Sequence, residues 1–485
     1  MRPSILPTSS PDTIQPIVPR RYLKAAIYLL CVSGVLTTIS FLSGVAWDDV
    51  KSARDWSPFA QRPPQNGKHP AGSLADFPDY PPNYTEWHEI EEALPQHNEN
   101  LTFPEGRTGR YVYFSEHVKT AGWGNVLQEH FFHGLLAYLG RRSYAFDSFE
   151  GTSDAPPFRD EEGNIVPVDI PMVAFLSGPL AGGPFPPRDL TPRFVRKSYF
   201  DKVCPHPKLL DKAAIRAKLP KNYTALHLLA VWVRMMNDEP ARCVEINERI
   251  FDVDVFGSPR IHDGLPVLFN NPIIKLFGWS PLIEDAFTVN KHLFALTRKL
   301  PPPTPALRYP PIPGLLALHV RRGDFEHHCP NMRSWGTQFS GLNTQPGTID
   351  RGPDLVENND TQGSIDAFQR ACYPSTKQIV ERVRQIRMTE DGKGLRNIFI
   401  MTNGSPEWVE ELREALMKDH PWKQISSSLQ MKVTWEQKFT AQAVDMMIGQ
   451  RADVFVGNGF SSLSGTVFML RIASGLSAGR QRLWL

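Results

Sequence analysis

The distribution of hydrophobic and charged positions first indicates a membrane segment near the start of the chain. Residues 25–47 form an apolar run without a charged side chain, and Arg20, Arg21 and Lys24 stand directly before it. At a rise of about 1.5 Å per residue, a helix of this length crosses a bilayer core about 30 Å thick. Basic residues stay on the cytosolic side, so the pattern predicts a cytosolic tail (1–24) and a type II signal anchor (25–47).

A cleaved signal peptide is the alternative for the same run. Gly44, Val45 and Ala46 would supply the small residues of a cleavage site. The apolar run is longer than the hydrophobic part of a usual signal peptide, which favours the uncleaved anchor. Residues 48–104 are rich in Pro, Asn, Asp and Glu and lack apolar periodicity, so they are predicted as a stem.

The next region begins with a strand, a glycine-containing turn, a helix and a second strand. These elements are predicted at Tyr111–Phe114, Asn125–Leu139 and Arg141–Phe146, because the strands are β-prone and the helix has apolar residues at four-residue spacing. Such an order starts a βαβ unit. Residues 151–200 are predicted to be irregular and residues 208–250 largely helical, which completes a first domain at 105–300.

A proline-rich segment, residues 301–314, is predicted to link this domain to a second one at 315–485. In the second domain, apolar runs at 315–320, 397–401 and 453–456 predict buried strands of a parallel sheet. Helices are predicted after Ser405-Pro406, around 440–450 and after Gly457-Asn-Gly. The predicted fold class is α/β, with two Rossmann-like domains facing a cleft where ligands bind beyond the strand ends.

Composition is consistent with a folded protein of more than one domain. The chain has 485 residues, of which 41% are hydrophobic and 21% charged. Its formal net charge of +2 argues against a nucleic-acid-binding surface. Four cysteines follow the anchor, namely Cys204, Cys243, Cys329 and Cys372. In an oxidising compartment they predict two disulfides, and pairing within each domain joins Cys204 to Cys243 and Cys329 to Cys372. Buried free thiols are the alternative.

Candidate chemistry begins at His319-Val-Arg-Arg-Gly-Asp-Phe325, which follows a predicted buried strand. Arg321 and Arg322 would place fixed positive charge where a phosphate-bearing ligand binds in such a sheet. Because side chains alternate along a strand, only one of the two arginines should face the ligand. A surface ion pair with Asp324 and an adhesion tripeptide, Arg-Gly-Asp, are the other interpretations.

Two further turns lead from strands into helices through small residues. Gly122-Trp-Gly-Asn125 would present a helix N-terminus to a diphosphate, and Ser461 and Ser462 would do so after Gly457-Asn-Gly. Turn geometry explains the glycines equally well, and a serine N-cap explains the second turn.

Taken together, three motifs resemble the superfamily of GDP-fucose protein O-fucosyltransferases. They are His-x-Arg-x-Gly at His319, Gly-Asn at Gly124, and Asp-x-Phe-Val-Gly-Asn-x-x-Ser-Ser from Asp453, and the chain resembles a fungal, membrane-anchored branch. The resemblance covers roughly residues 108–475. It implies a GT-B-like fold and an inverting, metal-independent transfer of fucose from GDP-fucose to a hydroxyl of a lumenal protein or glycan. It implies no cofactor and places the enzyme in the Golgi or endoplasmic reticulum membrane.

The resemblance also assigns roles to individual residues. Arg321 matches the arginine that holds the β-phosphate and assists the departure of GDP, and His319 matches a residue near the guanine or ribose. The diphosphate positions are matched by Gly124, Asn125, Ser461 and Ser462, with Arg322 beside them. Asp445 and Asp453 match acids that support the site.

This chain departs from the family pattern at two positions. Gly122 stands where protein-modifying members carry arginine, and Asn403 stands where many members carry an aspartate that reads guanine. The general base is open: Glu129 is the candidate on the first helix, and Glu116 and His117 precede the turn. A glutamate early in a helix also interacts favourably with the helix dipole, and this alone could explain Glu129 without a catalytic role.

Three alternative functions stay open at this stage. Asp252-Val-Asp254 offers carboxylates for a divalent cation, as a metal-dependent transferase of the GT-A type would need. A lumenal protein that keeps the fold and binds without catalysis is the second alternative, because fold does not fix function. A transferase that uses another nucleotide sugar is the third.

Overall fold

The computed structural model describes residues 71–118, 120–151, 156–210, 213, 215, 217–295, 300–304, 307–352 and 362–485. The predicted cytosolic tail, signal anchor and first part of the stem lie outside these residues. Within the described ranges, no helix combines the length and the apolar character that crossing a membrane requires.

The described strands lie in two five-stranded sheets and two short pairs. In chain order they are β1 (Tyr111–Phe114), β2 (Ser143–Phe146), β3 (Phe158–Arg159), β4 (Ile165–Val166), β5 (Leu176–Ser177), β6 (Val195–Arg196), β7 (Lys208–Leu209), β8 (Cys243–Ile246), β9 (Gly278–Trp279), β10 (Ile312–Val320), β11 (Asn397–Thr402), β12 (Gln424–Ser427), β13 (Ala452–Gly457) and β14 (Gln481–Leu483).

The described α-helices alternate with these strands. They are α1 (Thr85–Glu92), α2 (Trp123–Leu139), α3 (Met172–Phe175), α4 (Lys197–Val203), α5 (Ala225–Asp238), α6 (Val253–Phe256), α7 (Leu265–Phe269), α8 (Pro272–Lys275), α9 (Pro281–Asn290), α10 (Phe325–Ser334), α11 (Gln362–Cys372), α12 (Thr376–Arg387), α13 (Pro406–Asp419), α14 (Trp435–Arg451) and α15 (Ser462–Ala473). Short 3-10 turns lie at Leu74–Asp76, Gly106–Thr108, Pro179–Ala181, Pro259–Gly264, Lys291–Leu293, Gly341–Asn343, Glu390–Gly392, Ser428–Gln430 and Ala478–Arg480.

The first sheet has the strand order β6-β2-β1-β8-β7, and each pair of adjacent strands is parallel. The predicted β1 is confirmed, and helix α2 begins at Trp123 rather than Asn125. The prediction that residues 208–250 are largely helical is wrong. Helix α5 occupies their middle, while β7 and β8 flank it, and β8 pairs with β1 along its whole length.

The second sheet has the strand order β12-β11-β10-β13-β14 and is also parallel throughout. Its predicted strands are confirmed, with β10 starting already at Ile312. The Ser405 side chain caps α13, and Pro406 is the first helical residue, as predicted. Because the chain order reverses between β10 and β13, their carboxyl ends form a switch point, where such sheets bind ligands. The α/β fold with parallel sheets is therefore confirmed.

The chain enters the second half before the predicted linker. The Trp279 indole donates a hydrogen bond of 2.8 Å to the Gln450 side chain in α14, and α9 packs along the same helix. Phe294 makes an edge contact with Phe399 of β11 at a centroid distance of 5.7 Å. Residues near the predicted end of the first domain thus pack against the second half, while β9 also pairs with β5 of the first half.

The structure also differs from the predicted stem, because residues 71–104 are folded against both halves. On the second half, Trp435 Nε1 donates to Tyr80 O at 2.8 Å, and Lys438 Nζ donates to Phe77 O at 2.9 Å. On the first half, buried Gln96 donates to the Phe194 carbonyl at 2.6 Å. Proline and acidic composition suggested a spacer, yet side-chain bonds to backbone groups of distant elements hold this segment in place.

Both predicted disulfides are present: Cys204 bonds Cys243, and Cys329 bonds Cys372. The second closes a loop with a sequence separation of 43 and is fully buried beside Phe325 and Phe368. We expect Cys329→Ser with Cys372→Ser to lower the free energy of unfolding by about 2–4 kcal/mol, since the cross-link restricts the unfolded chain. Denaturant titration of the variant and of the wild type would measure the loss. Equal midpoints and equal slopes would contradict it.

Candidate active site

Arg321 stands at the carboxyl end of β10, on the same side as His319. Its Nη2 donates to Asp324 Oδ2 at 2.6 Å, and its guanidinium lies 4.9 Å from the Phe325 ring centroid. The side chain is 33% exposed, and its Nε has no partner among the described residues. Arg321 therefore keeps hydrogen-bond donors free while Asp324 fixes its position.

Arg322 points to the other face of the sheet, as the alternation of side chains along β10 predicts. It is 6% exposed, and its guanidinium lies 4.2 Å from both the Tyr373 and the Trp408 rings. Its Nη2 donates to the Pro374 carbonyl at 2.5 Å. Because this arginine is held between two rings, an Arg-Gly-Asp adhesion loop is excluded and Arg321 is the arginine on the His319 side.

A cavity of about 840 Å³ adjoins Arg322 at the starts of α12 and α13. Besides Arg322 it is lined by Gly323, Glu326, Tyr373, Ser375, Thr376, Lys377, Asn403, Gly404, Ser405, Trp408 and Glu411. The cavity therefore lies on the Arg322 side of the sheet, and Arg321 is not among its lining residues.

Asn403 ties the ends of β10 and β11 together. Its Oδ1 accepts from the Arg322 backbone N–H at 2.8 Å, and its Nδ2 donates to Asp324 Oδ1 at 2.8 Å. Burial alone would raise the pKa of Asp324, but the Arg321 guanidinium and the Asn403 amide outweigh it and hold that pKa below its usual value. Asn403 also begins an Asn-Gly-Ser signal for N-glycosylation. Its amide oxygen and amide nitrogen are both engaged within the protein, and an attached glycan would disrupt these bonds.

His319 is buried and bonded to the helix that follows β13. Its Nδ1 lies 2.8 Å from Ser464 Oγ, and its carbonyl accepts from Trp484 Nε1 at 2.8 Å. Burial, and then the neighbouring Arg321 charge, lower the pKa of His319 to about 3. The ring is therefore neutral at physiological pH and serves to position the first turn of α15.

The first turns of α2 and α15 touch, which brings the carboxyl ends of β1 and β13 together. A Cβ atom on Gly124 would lie 2.6 Å from Leu463 N and 2.8 Å from the Ser462 carbonyl carbon. Gln128 Nε2 donates to Ser462 O at 2.7 Å and fixes the contact. Helix N-termini carry partial positive charge and free N–H groups, so two of them side by side favour an anion.

The predicted diphosphate residues lie at this contact with unequal exposure. Asn125 is exposed on the first turn of α2, Ser462 is half-buried, and Ser461 is 6% exposed with its carbonyl bonded to Asn343 at 3.0 Å. The structure thus brings Gly124, Asn125, Ser461 and Ser462 together. Asn343, which braces the turn through Ser461, was missed because no motif marks it.

Glu129 lies away from the exposed part of this site. It is 2% exposed, and its Oε2 accepts a hydrogen bond from the Val118 backbone N–H. Burial raises the pKa of Glu129 to about 7, against the lowering effect of that N–H and of His117. The observed contacts make Glu129 a support for the loop after β1.

Asp445 and Asp453, the acids expected to support the site, are both half-buried, and Asp453 lies near the amino end of β13. Burial raises the pKa of Asp445 to about 7, and its Oδ2 accepts from Ser428 Oγ at 3.1 Å. Asp453 Oδ2 accepts the Gly314 backbone N–H at 2.9 Å. Asp252 caps α6 by accepting from the Asp254 and Val255 backbone N–H groups. The described residues contain no cluster of His, Cys, Asp and Glu arranged to hold a metal ion.

The two parallel sheets, with an arginine and two helix N-termini at their carboxyl ends, form an arrangement that α/β proteins use to bind phosphate-bearing ligands. Residues 273–472 match the family model O-FucT, described as GDP-fucose protein O-fucosyltransferase. This match confirms, over residues 273–472, the resemblance to O-fucosyltransferases that the motifs indicated. No curated protein sequence matches the chain.

Solved structures to which the chain is similar include those of POFUT1 and of Arabidopsis thaliana FUT1. POFUT1 in complex with GDP-fucose is 16% identical, with a TM-score of 0.47, 78% of this chain covered and 98% of that chain. POFUT1 in complex with GDP is also 16% identical, with a TM-score of 0.45 and the same two coverages, 78% and 98%. A mutant of Arabidopsis thaliana FUT1 in complex with GDP is 10% identical, with a TM-score of 0.35, 81% of this chain covered and 74% of that chain.

Proposed function

We propose that this chain transfers fucose from GDP-fucose to a hydroxyl group of a lumenal protein or glycan. The supporting observation is Arg321, which lies within the family match at a switch point of the second sheet with donors left free. Departure of GDP builds negative charge on the β-phosphate, and a guanidinium meets that charge with directed hydrogen bonds.

The proposed cleft is of the GT-B type and lies where the carboxyl ends of the two sheets meet. The first turns of α2 and α15 would hold the diphosphate, with Arg321 beside its β-phosphate. His319 contacts Ser464 of α15, so a hydrogen bond joins the strand that leads to Arg321 to the first turn of this helix. Charge compensation by these groups supports a metal-independent reaction, and an in-line displacement would invert the configuration at fucose.

The proposed location is the lumen of the endoplasmic reticulum or Golgi, with a type II signal anchor at residues 25–47. The two disulfides support a secretory compartment, because thiols stay reduced in the cytosol. Asn83, Asn100 and Asn222 each begin an Asn-x-Thr signal for N-glycosylation, and their exposure is consistent with this compartment. The proposal includes that the chain belongs to a fungal, membrane-anchored branch of the family.

Calorimetric binding of GDP, GDP-fucose and UDP to the detergent-solubilised chain, with EDTA present, tests the donor assignment. We expect GDP and GDP-fucose to bind and UDP to bind at least tenfold more weakly. A preference for UDP would overturn the fucose donor and favour another nucleotide sugar. Absence of any nucleotide binding would overturn the enzyme and favour a protein that keeps the fold without catalysis.

A further inference from the structure

A histidine and an aspartate form a close pair at the carboxyl edge of the first sheet. His117 lies in the loop between β1 and α2, and Asp147 directly follows β2. His117 Nε2 lies 2.6 Å from Asp147 Oδ2. Parallel neighbours β1 and β2 end at the same edge, so this pair stands at the edge that meets the second sheet.

The carboxylate of Asp147 is itself held in place. The Tyr113 hydroxyl donates to Asp147 Oδ2 at 2.9 Å, and the Lys197 ammonium lies 4.6 Å from the Tyr113 ring centroid. The side chains of His117 and Asp147 are 10% and 15% exposed. A carboxylate on one ring nitrogen fixes the tautomer and leaves the other nitrogen as the proton acceptor.

The free nitrogen of this histidine is Nδ1. It has no hydrogen-bond partner among the described residues, while Nε2 is taken up by Asp147. The loop that carries His117 continues to Gly122 and then to the α2 turn that touches Ser462. The histidine is therefore anchored on the first sheet a few residues from the proposed diphosphate site.

The other acids and bases of this loop are less suited to accept a proton from an acceptor hydroxyl. Glu129 is enclosed and bonded to Val118, and His133 is buried and stacked on Phe114 at a centroid distance of 4.1 Å. Glu116 is exposed, and none of the described residues makes a hydrogen bond or ion pair with its side chain. His117 combines partial exposure, a free nitrogen and an orienting carboxylate.

We propose that His117, oriented by Asp147, is the general base of the transfer reaction, an inference that rests on the proposed function. Nδ1 takes the proton of the acceptor hydroxyl as its oxygen forms a bond to fucose C1. The bond between C1 and the β-phosphate oxygen breaks, and its electron pair leaves with GDP beside Arg321. Asp147 stabilises the imidazolium that results, without taking the proton itself.

Two substitutions separate this role from a purely structural tie. His117→Gln keeps a side chain that hydrogen-bonds Asp147 but accepts no proton at neutral pH, and Asp147→Asn removes the charge that orients the ring. We expect GDP release from GDP-fucose, with water as acceptor, to fall about 100-fold in His117→Gln and about tenfold in Asp147→Asn. GDP affinity and the thermal midpoint should stay within error of the wild type, and imidazole should partly restore His117→Ala.

His88→Gln is the matched control, because His88 Nε2 also lies near an aspartate, 3.7 Å from Asp169, but on the α1 segment. The His88→Gln variant should release GDP from GDP-fucose at the wild-type rate. Full activity of His117→Gln with normal GDP binding would overturn the base while the donor site stands. The base would also be overturned if the wild type bound GDP but released GDP from GDP-fucose no faster than Arg321→Ala does. A wild type that binds no GDP would overturn the proposed function and the base with it.

Discussion

Arg321→Ala should lower fucose transfer at least 1,000-fold and weaken GDP binding, with little change in the free energy of unfolding. Loss of one preorganised donor to a developing oxyanion costs about 100- to 1,000-fold, and a guanidinium also supplies full charge. Stability should hold because the side chain is 33% exposed and its ion pair with Asp324 is a partly exposed one. Transfer rate, GDP affinity by calorimetry and the denaturation midpoint give the three readings.

Matched variants show whether the effect belongs to this one arginine. Arg413→Ala removes an exposed arginine of α13 that pairs with Glu410, and it should leave all three readings unchanged. Arg321→Lys keeps the charge but loses the planar donor pair, so it should recover only part of the activity. Wild-type transfer by Arg321→Ala would contradict the assigned role, whatever its stability.

The second sheet could be predicted well because its strands are long, apolar and buried on both faces. Residues 315–320, 397–401 and 453–456 needed only small extensions, since such runs have few other solutions in a parallel sheet. The strands of the first sheet are harder to predict from the sequence. Its β6 and β7 span two residues each, which leaves no period to detect, and β8 lies in a stretch whose pattern predicts a helix.

In the candidate site, the placement of side chains could be predicted where they follow directly from a strand end. The alternation along β10 assigned Arg321 and Arg322 to opposite faces before any contact was known. Contacts between distant segments could not be predicted from the sequence. Asn343, which bonds the Ser461 carbonyl, lies 118 residues away from it. Asp147, which bonds His117, lies 30 residues away from it. The folding of residues 71–104 was missed for the same reason, because their partners, such as Trp435, lie far along the chain.

Gly124→Ala should weaken GDP binding about tenfold and lower the free energy of unfolding by about 1–3 kcal/mol, as overpacking does in a tight contact. The new Cβ would meet backbone atoms of Ser462 and Leu463, which cannot turn away as a side chain can. The first turns of α2 and α15 must then separate, and their N–H groups would no longer converge on one diphosphate.

Gly122→Ala is the matched control, two residues earlier in the same turn. A Cβ there meets no heavy atom within 4 Å, and the backbone angles, φ −57° and ψ 144°, suit any residue. Replacing a glycine N-cap by alanine costs less than about 1 kcal/mol, and nucleotide affinity should not change. Equal losses in both variants would mean that the turn needs flexibility. A loss confined to Gly124→Ala means that the joint between the two halves builds the donor site, so neither half binds GDP well by itself.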